Sequence, residues 1–288
     1  MNLFPSLAFI GNSLDRCANH RTDKAWLQRE LISPTTRHVH LHGDKVGVVD
    51  AVLQTHGEAN SAEAVFLGRD ESGAAWFASR ADTADDLVDL RSLALAESLP
   101  PWQLGLLAQA RSLLHWHERH GFCANCGHKT EFEDAGYRRH CKACLVDHFP
   151  RTDPVIIIAV RHRGRVLLGR QSSWPQGMYS TLAGFMEPGE TIEQAARREV
   201  FEESGIRVGN IRIHTTQPWP FPSSLMIGLI GEALNDEITV DVKELETARW
   251  FERAEVQAML KGNHKDGLKA SNPMAIAYHL VSAAIQPF

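Results

Sequence analysis

The chain has 288 residues, of which 43% are hydrophobic, 23% charged and 8% aromatic; this is a length for about two domains, with enough apolar surface for sizeable cores, and it excludes a disordered or fibrous chain. A formal net charge of −5 excludes a surface that is basic throughout and holds nucleic acid by counterion release. No apolar run nears the roughly 20 residues that cross a bilayer, and Leu3 to Ile10 has no Lys or Arg before it and no clear cleavage site, so a soluble, cytoplasmic protein without membrane contact is expected.

The first segment, residues 1–120, reads as α/β. Its end, Trp102 to His120, places Leu104, Leu107 and Leu114 at helical spacing, which predicts an amphipathic helix. Within it, Val65-Phe66-Leu67-Gly68-Arg69 echoes Val166-Leu167-Leu168-Gly169-Arg170 further along the chain. Two β-hairpins share five residues by chance as readily as by descent. If descent is the cause, the N-terminal segment is a decayed copy of the C-terminal fold, and one without the acidic cluster described below.

Residues 121–150 hold four of the five cysteines, as Cys123-x2-Cys126-x14-Cys141-x2-Cys144. This is the spacing of a zinc ribbon, in which two knuckles turn two thiolates each toward one tetrahedral ion. Four sulfur ligands leave no open position, so the Zn²⁺ is expected to be structural; disulfides are the alternative, disfavoured by the odd cysteine count. Cys17 reads as a small buried hydrophobe. From Trp116 to Arg170 ten Lys and Arg face six acids, which reads as a solvated face or as an attraction for polyphosphate or RNA.

The third segment, residues 151–288, opens with a predicted hairpin of Val155–Val160 and Arg165–Leu168. A helix of about 14 residues follows, bracketed by a Thr191/Gln194 capping box and by Gly205 as its C′ residue. On it Glu199, Glu202 and Glu203 stand at i, i+3 and i+4, three carboxylates on one face. They crowd the C-terminal end, where the macrodipole favours cations. A hard divalent cation resolves both conflicts, and oxygen ligands suit Mg²⁺ or Mn²⁺. Further on, Thr216-Gln-Pro-Trp-Pro-Phe-Pro-Ser-Ser224 reads as a stiff extended segment whose Trp219 and Phe221 suit stacking on a planar ring, or a rigid loop packed on the core. A last helix is predicted from Asn272 to Ile285, with Pro273 in its first turn.

Gly184-x5-Glu190-x7-Arg198-Glu199-Val200-x-Glu202-Glu203-x-Gly205-Ile206 resembles the signature of the Nudix hydrolases, over about Thr152 to Phe288. The aromatic segment, with Thr216 where relatives carry Ser, is similar to that of their NADH pyrophosphatase branch. The resemblance implies an α/β (α+β) protein, with a C-terminal α/β/α sandwich on a mixed sheet, a zinc ribbon and a degenerate Nudix-like N-terminal domain. It implies hydrolysis of the pyrophosphate of NADH or NAD⁺ to nicotinamide mononucleotide and AMP, and removal of NAD caps from RNA. An ADP-ribose or general dinucleotide pyrophosphatase is the alternative within the class, and a non-catalytic dinucleotide- or RNA-binding module the alternative outside it. By the same resemblance Glu199, Glu202, Glu203 and Glu244 are metal ligands in catalysis, and Gly184, Glu190, Arg198 and Gly205 are structural. Phe149, Phe185, Gln217, Trp219, Phe221, Ser224 and Ala277 bind substrate, with Tyr more usual at position 149. The family also implies a homodimer.

Overall fold

The computed structural model describes residues 6–55, 63–81 and 86–286, so the stretch from Leu3 considered above as a leader lies partly outside the described residues. Two compact units form: an N-terminal unit of Phe9–Thr152 with Pro218–Ser223, and a C-terminal unit of Met1–Ala8, Asp153–Gln217 and Ser224–Phe288. The ribbon falls inside the first unit. No described helix is long and apolar enough to cross a membrane.

The N-terminal unit runs α1 (Lys24–Leu31), β1 (Arg37–His42), β2 (Lys45–Val49), β3 (Val52–Leu53), β4 (Val65–Arg69), β5 (Ala75–Arg80), β6 (Leu87–Asp89), α2 (Leu90–Ala96) and α3 (Pro101–Arg119). Asp23 caps α1 by accepting from the Trp26 amide at 2.9 Å. Trp26, Leu27 and Leu31 of that helix then cover Phe66, Phe77 and the buried Cys17. Pro101 opens α3 one residue before the expected amphipathic stretch, and the helix packs along β4 and β5.

The C-terminal unit runs β10 (Asp153–His162), β11 (Arg165–Arg170), β12 (Leu182–Phe185), α4 (Ile192–Ser204), β13 (Val208–Trp219), β14 (Ser224–Ala233), β15 (Thr247–Glu252), α5 (Arg253–Leu260) and α6 (Ile276–Ala284), following β7 (Glu131–Glu133), β8 (Arg138–His140) and β9 (Asp147–His148) of the ribbon. Its sheet is ordered β13-β14-β10-β11-β15, with β12 paired to β10. Ile156, Ile158 and Val160 of β10 pack beneath Ala195, Ala196 and Val200 of α4. Against β10 and β14 also lies α6, approaching so closely that a Cβ on Gly228 would stand 2.7 Å from Ile276. Covered on both faces, β10 reads as an unbroken apolar run where a half-exposed strand would alternate.

The two sheets share one topology. In the first unit β4-β5-β1-β2-β6 repeats β13-β14-β10-β11-β15 strand for strand, including the one parallel pair, β5 with β1 and β14 with β10. The five-residue echo does not mark this repeat, because Val65–Arg69 is β4, the counterpart of β13, whereas Val166–Arg170 lies in β11, the counterpart of β2. Even its glycines answer to different constraints. A Cβ on Gly68 would strike the Asp15 carbonyl at 2.5 Å, and one on Gly169 the Leu182 side chain at 2.8 Å. Only 15 residues join β2 to β4 where 37 join β11 to β13, too few for a counterpart of β12, its loop and α4.

Two local expectations are corrected. The last helix starts at Ile276, not near Asn272, because Asn272 and Pro273 form a turn in which Asn272 accepts from the Met274 and Ala275 amides. The aromatic segment is extended only through Trp219; Pro220–Ser223 reverses the chain between β13 and β14, with a cis Phe221–Pro222 bond.

The ribbon holds two knuckles with matching local bonds. The Cys123 amide bonds the His128 carbonyl at 2.7 Å and the Cys141 amide bonds that of Val146 at 3.0 Å. Each knuckle turns on a left-handed residue four positions after its first cysteine, Gly127 and Leu145. The four sulfurs gather within 4.8 Å of one another, a set that fits one tetrahedral thiophilic ion. Beneath them Arg139, 3% exposed, donates to Thr130 and to His117 Nδ1 of α3. Burial pushes His117 down to about 4, so it stays neutral and donates from Nε2 to the Gly136 carbonyl. Stripping zinc with a thiol-competing chelator should lower the Tm of the N-terminal transition, with one Zn²⁺ per chain released by metal analysis and Cys126→Ser reproducing the loss. Full stability in the zinc-free protein would contradict a structural ion.

Candidate active site

Thr191 caps α4 through the anticipated capping box, and Gly205 closes it at φ +70°. The four last carbonyls of a helix lack internal partners. Here the Asp241 amide bonds the Glu203 carbonyl at 3.1 Å and the Thr239 amide bonds that of Ser204 at 2.9 Å. Those two bonds dock the loop from Asp236 onward against the helix end. Glu244 in that loop is thereby brought to Glu199 and Glu203, and carboxylate oxygens of all three lie within 4.8 Å of one another.

Glu202 stands apart from this trio. It is exposed and pairs with Arg198 Nη1 at 3.1 Å. Arg198 is the hub of the loop. Its Nε and Nη2 hold both oxygens of Glu190 at 2.6 and 2.8 Å, its Nη2 also reaches the Phe185 carbonyl at 2.9 Å, and its Nη1 bonds Glu199 at 2.8 Å. The Glu190 carboxyl is held down at about 2 by that guanidinium. A bidentate pair of this kind fixes geometry as well as charge.

Glu203 sets the electrostatics. It is 4% exposed, and its Oε2 is buried without a hydrogen-bond partner. Burial, reinforced by Glu199, Glu244 and Glu202, pushes it up to about 8. Glu199 is raised by burial as well, against the opposing pull of Arg198. Three oxygen donors around an orphaned buried carboxylate oxygen form a donor set for a hard divalent cation. Gly184 makes room for it. A Cβ there would overlap the Glu199 carboxyl carbon at 1.9 Å.

Of the residues expected to bind substrate, Phe185 ends β12 at 61% exposure, while Ser224 and Ala277 are buried in β14 and α6. Gln217 is fully buried. Its Nε2 donates to the Ala8 and Met274 carbonyls at 3.0 and 2.8 Å, and its Oε1 accepts from the Ile276 amide at 2.9 Å, so it caps α6 from a distant strand. In the N-terminal unit Phe149 is exposed, and Trp219 and Phe221 meet edge-on at 5.3 Å, each also edge-on to Phe9. Arg91 lies 5.4 Å from the Trp219 ring and 4.8 Å from that of Phe221. Nothing in the sequence pairs Arg91 with rings 128 and 130 residues away.

Three family models match the chain: a NUDIX domain over residues 150–270, the NADH pyrophosphatase zinc ribbon domain over 118–149, and an NADH pyrophosphatase-like rudimentary NUDIX domain over 27–116. The chain is 37% identical over 201 residues to the NAD-capped RNA hydrolase NudC of Klebsiella pneumoniae, covering 68% of this chain and 77% of that protein. It is 46% identical over 189 residues to the human NAD-capped RNA hydrolase NUDT12, covering 62% of this chain and 41% of the relative. To the mitochondrial NAD(P)H pyrophosphatase NUDT13 of Mus musculus it is 41% identical over 192 residues, covering 63% and 54%. The chain thus spans about half the length, or less, of the NUDT12 and NUDT13 relatives.

Two expectations follow from the geometry. Folded, metal-free protein keeps a proton on Glu203 up to about pH 8 that the unfolded chain releases near 4.5. The stabilisation is therefore complete below about pH 4.5 and is lost as pH rises through about 8. In chelator, the Tm should fall over that window and Glu203→Gln should flatten the fall; an identical slope in the variant would refute the assignment. Second, Gly184→Ala should displace Glu199, cutting divalent-metal affinity at least about tenfold by calorimetry while the far-UV spectrum is kept.

Proposed function

Because the chain belongs to the Nudix hydrolase family, with the ribbon and rudimentary domain of its NADH pyrophosphatases, we propose that it hydrolyses the pyrophosphate bond of NADH and NAD⁺ and removes NAD caps from RNA. The observation that carries this reading is the carboxylate trio around the unpartnered Glu203 oxygen. The names of the relatives support the substrate. Water adds to one phosphorus, the bond from that phosphorus to the bridging oxygen breaks, and AMP and nicotinamide mononucleotide leave with the two protons of the water shared between product phosphates and solvent.

Glu199, Glu203 and Glu244 would hold Mg²⁺ or Mn²⁺, with Glu202 one turn away available to a further ion. Bound there, the cation supplies charge neutralisation at the phosphoryl oxygens and a water of lowered pKa. The chain's own residues do the rest. Arg198 and Glu190 keep the loop from Gly184 rigid, so that Glu199 is held in place before substrate arrives. The resemblance supports substrate roles for Phe149, Phe185, Trp219, Phe221, Ser224 and Ala277; in the C-terminal unit Phe185 offers an exposed ring, and the buried Gln217 secures the start of α6. The charge of the ribbon is largely spent internally, Arg138 on Asp134 and Asp147 and Lys142 on Glu131, so recognition of capped RNA rests on the cap. A homodimer is part of this reading, supported by the resemblance, and a cytoplasmic location is proposed with it.

Chromatography with mass detection, after incubation with NADH or ADP-ribose and Mg²⁺ or Mn²⁺, tests it. AMP and reduced nicotinamide mononucleotide should form faster than ADP-ribose is lost, and Glu199→Gln or Glu203→Gln should reduce turnover by more than about a hundredfold. Intact NADH beside cleaved ADP-ribose would favour a general dinucleotide pyrophosphatase, and two intact substrates a binding module.

A further inference from the structure

A cleft of about 480 Å³ in the C-terminal unit, walled by Arg170, Gln176, Tyr179, Glu246, Thr247 and Asp266 among others, is unused by the chemistry above. Beside the ends of β11 and β15 it is lined by Gln176 and Gly177 of one loop and 266–268 of another, the two loops locked by the bonds Tyr179 N to Lys269 O at 2.9 Å and Lys269 N to Gly177 O at 2.8 Å. Gly177, at φ +79°, is required there because a Cβ would meet the Gly267 carbonyl at 3.1 Å. Asp266 is set by its amide, which donates to Nδ1 of the buried His264 at 3.1 Å.

Arg170 and Glu246 are already spent. The guanidinium Nε bonds Glu246 at 2.8 Å and Nη1 bonds the Pro175 carbonyl at 2.7 Å. Among the described residues, the Tyr179 and Thr247 hydroxyls, the Gln176 amide and the Asp266 carboxylate have no such commitments. Among the nine residues that line the cleft, Asp266 is the one free anion and the one cation, Arg170, is already bonded; this lining, with its neutral donors and acceptors, suits a neutral polyol and offers an added phosphate no free cation of its own. A carboxylate accepting from a ribose diol is the general device that separates unphosphorylated from 2′-phosphorylated dinucleotides. The location agrees. Glu246 is two residues beyond Glu244, so their Cα atoms are at most about 7 Å apart, and a diphosphate on the trio leaves one of its nucleosides within reach of the cleft.

We propose that this cleft receives the ribose of the adenosine half of the dinucleotide, with Asp266 accepting from its hydroxyls and excluding a 2′-phosphate. The inference rests on the pyrophosphatase reading and adds to it the residue that sets NADH against NADPH.

The test is steady-state hydrolysis of NADH and NADPH, with Mg²⁺ or Mn²⁺, by wild type, Asp266→Asn, Asp266→Arg and Gln176→Ala. Asp266→Asn should raise the KM for NADH about tenfold or more, the worth of one charge-assisted hydrogen bond, with the loss in KM and not in kcat. The NADH-to-NADPH preference in kcat/KM should fall by a similar factor, and fall further in Asp266→Arg. Asp266 is exposed, so an unchanged Tm should accompany these effects. A wild-type preference kept within twofold in both Asp266 variants would overturn the subsite while leaving the pyrophosphatase reading intact. A wild type inert toward both dinucleotides would overturn the two together.

Discussion

Everything in the C-terminal unit that bears on chemistry is arranged around one unfavourable contact: three carboxylates drawn within 4.8 Å at the carbonyl end of a helix, one of them buried and lacking a partner. Water would solvate such groups separately, and the helix dipole opposes them. The fold holds them together by spending other interactions. Backbone amides of Thr239 and Asp241 satisfy the end of α4 and carry Glu244 in with their loop, while Gly184 leaves open the space that the Glu199 carboxylate fills.

The cost is met locally as well. Arg198 sits beside the trio, tied to Glu190, Glu199, Glu202 and the Phe185 carbonyl, so one guanidinium fixes the loop and offsets part of the repulsion. Glu203 is beyond its reach and takes up a proton instead. Electrostatic tension is thus greatest at Glu203, which any cation must deprotonate as it binds.

The N-terminal unit shows what the same sheet is without that device. Its five principal strands repeat the order and senses of the C-terminal sheet, yet α1 from earlier in the chain, and no counterpart of α4, covers Phe66 and Phe77. A sheet of this topology needs only an apolar face and something to bury it. Among the described residues, the same strand order thus forms without a carboxylate helix. Shape therefore persists where the chemical groups do not.

The sequence by itself determined the local devices. Cysteine spacing, the capping box, the Gly205 stop and the i, i+4 glutamates act over a few residues, and the structure reproduces each, with α4 ending one residue from the expected length. The Val155–Val160 run also disclosed a strand, paired in a hairpin with β11. Other features were decided only by tertiary structure, because their partners are far apart in the chain. Glu202 and Glu203 are indistinguishable by spacing, but packing buries one and leaves the other on Arg198. Glu244 joins the trio through a docked loop, and resemblance alone had pointed to it. Gln217 lies in a motif that drew attention to its aromatic rings, yet its amide caps a helix 59 residues away. The Nudix-like character of the N-terminal segment was legible by resemblance, but which strands correspond was not, since strand order is a property of hydrogen-bond pairing, and many sequences satisfy one pairing once their faces are apolar.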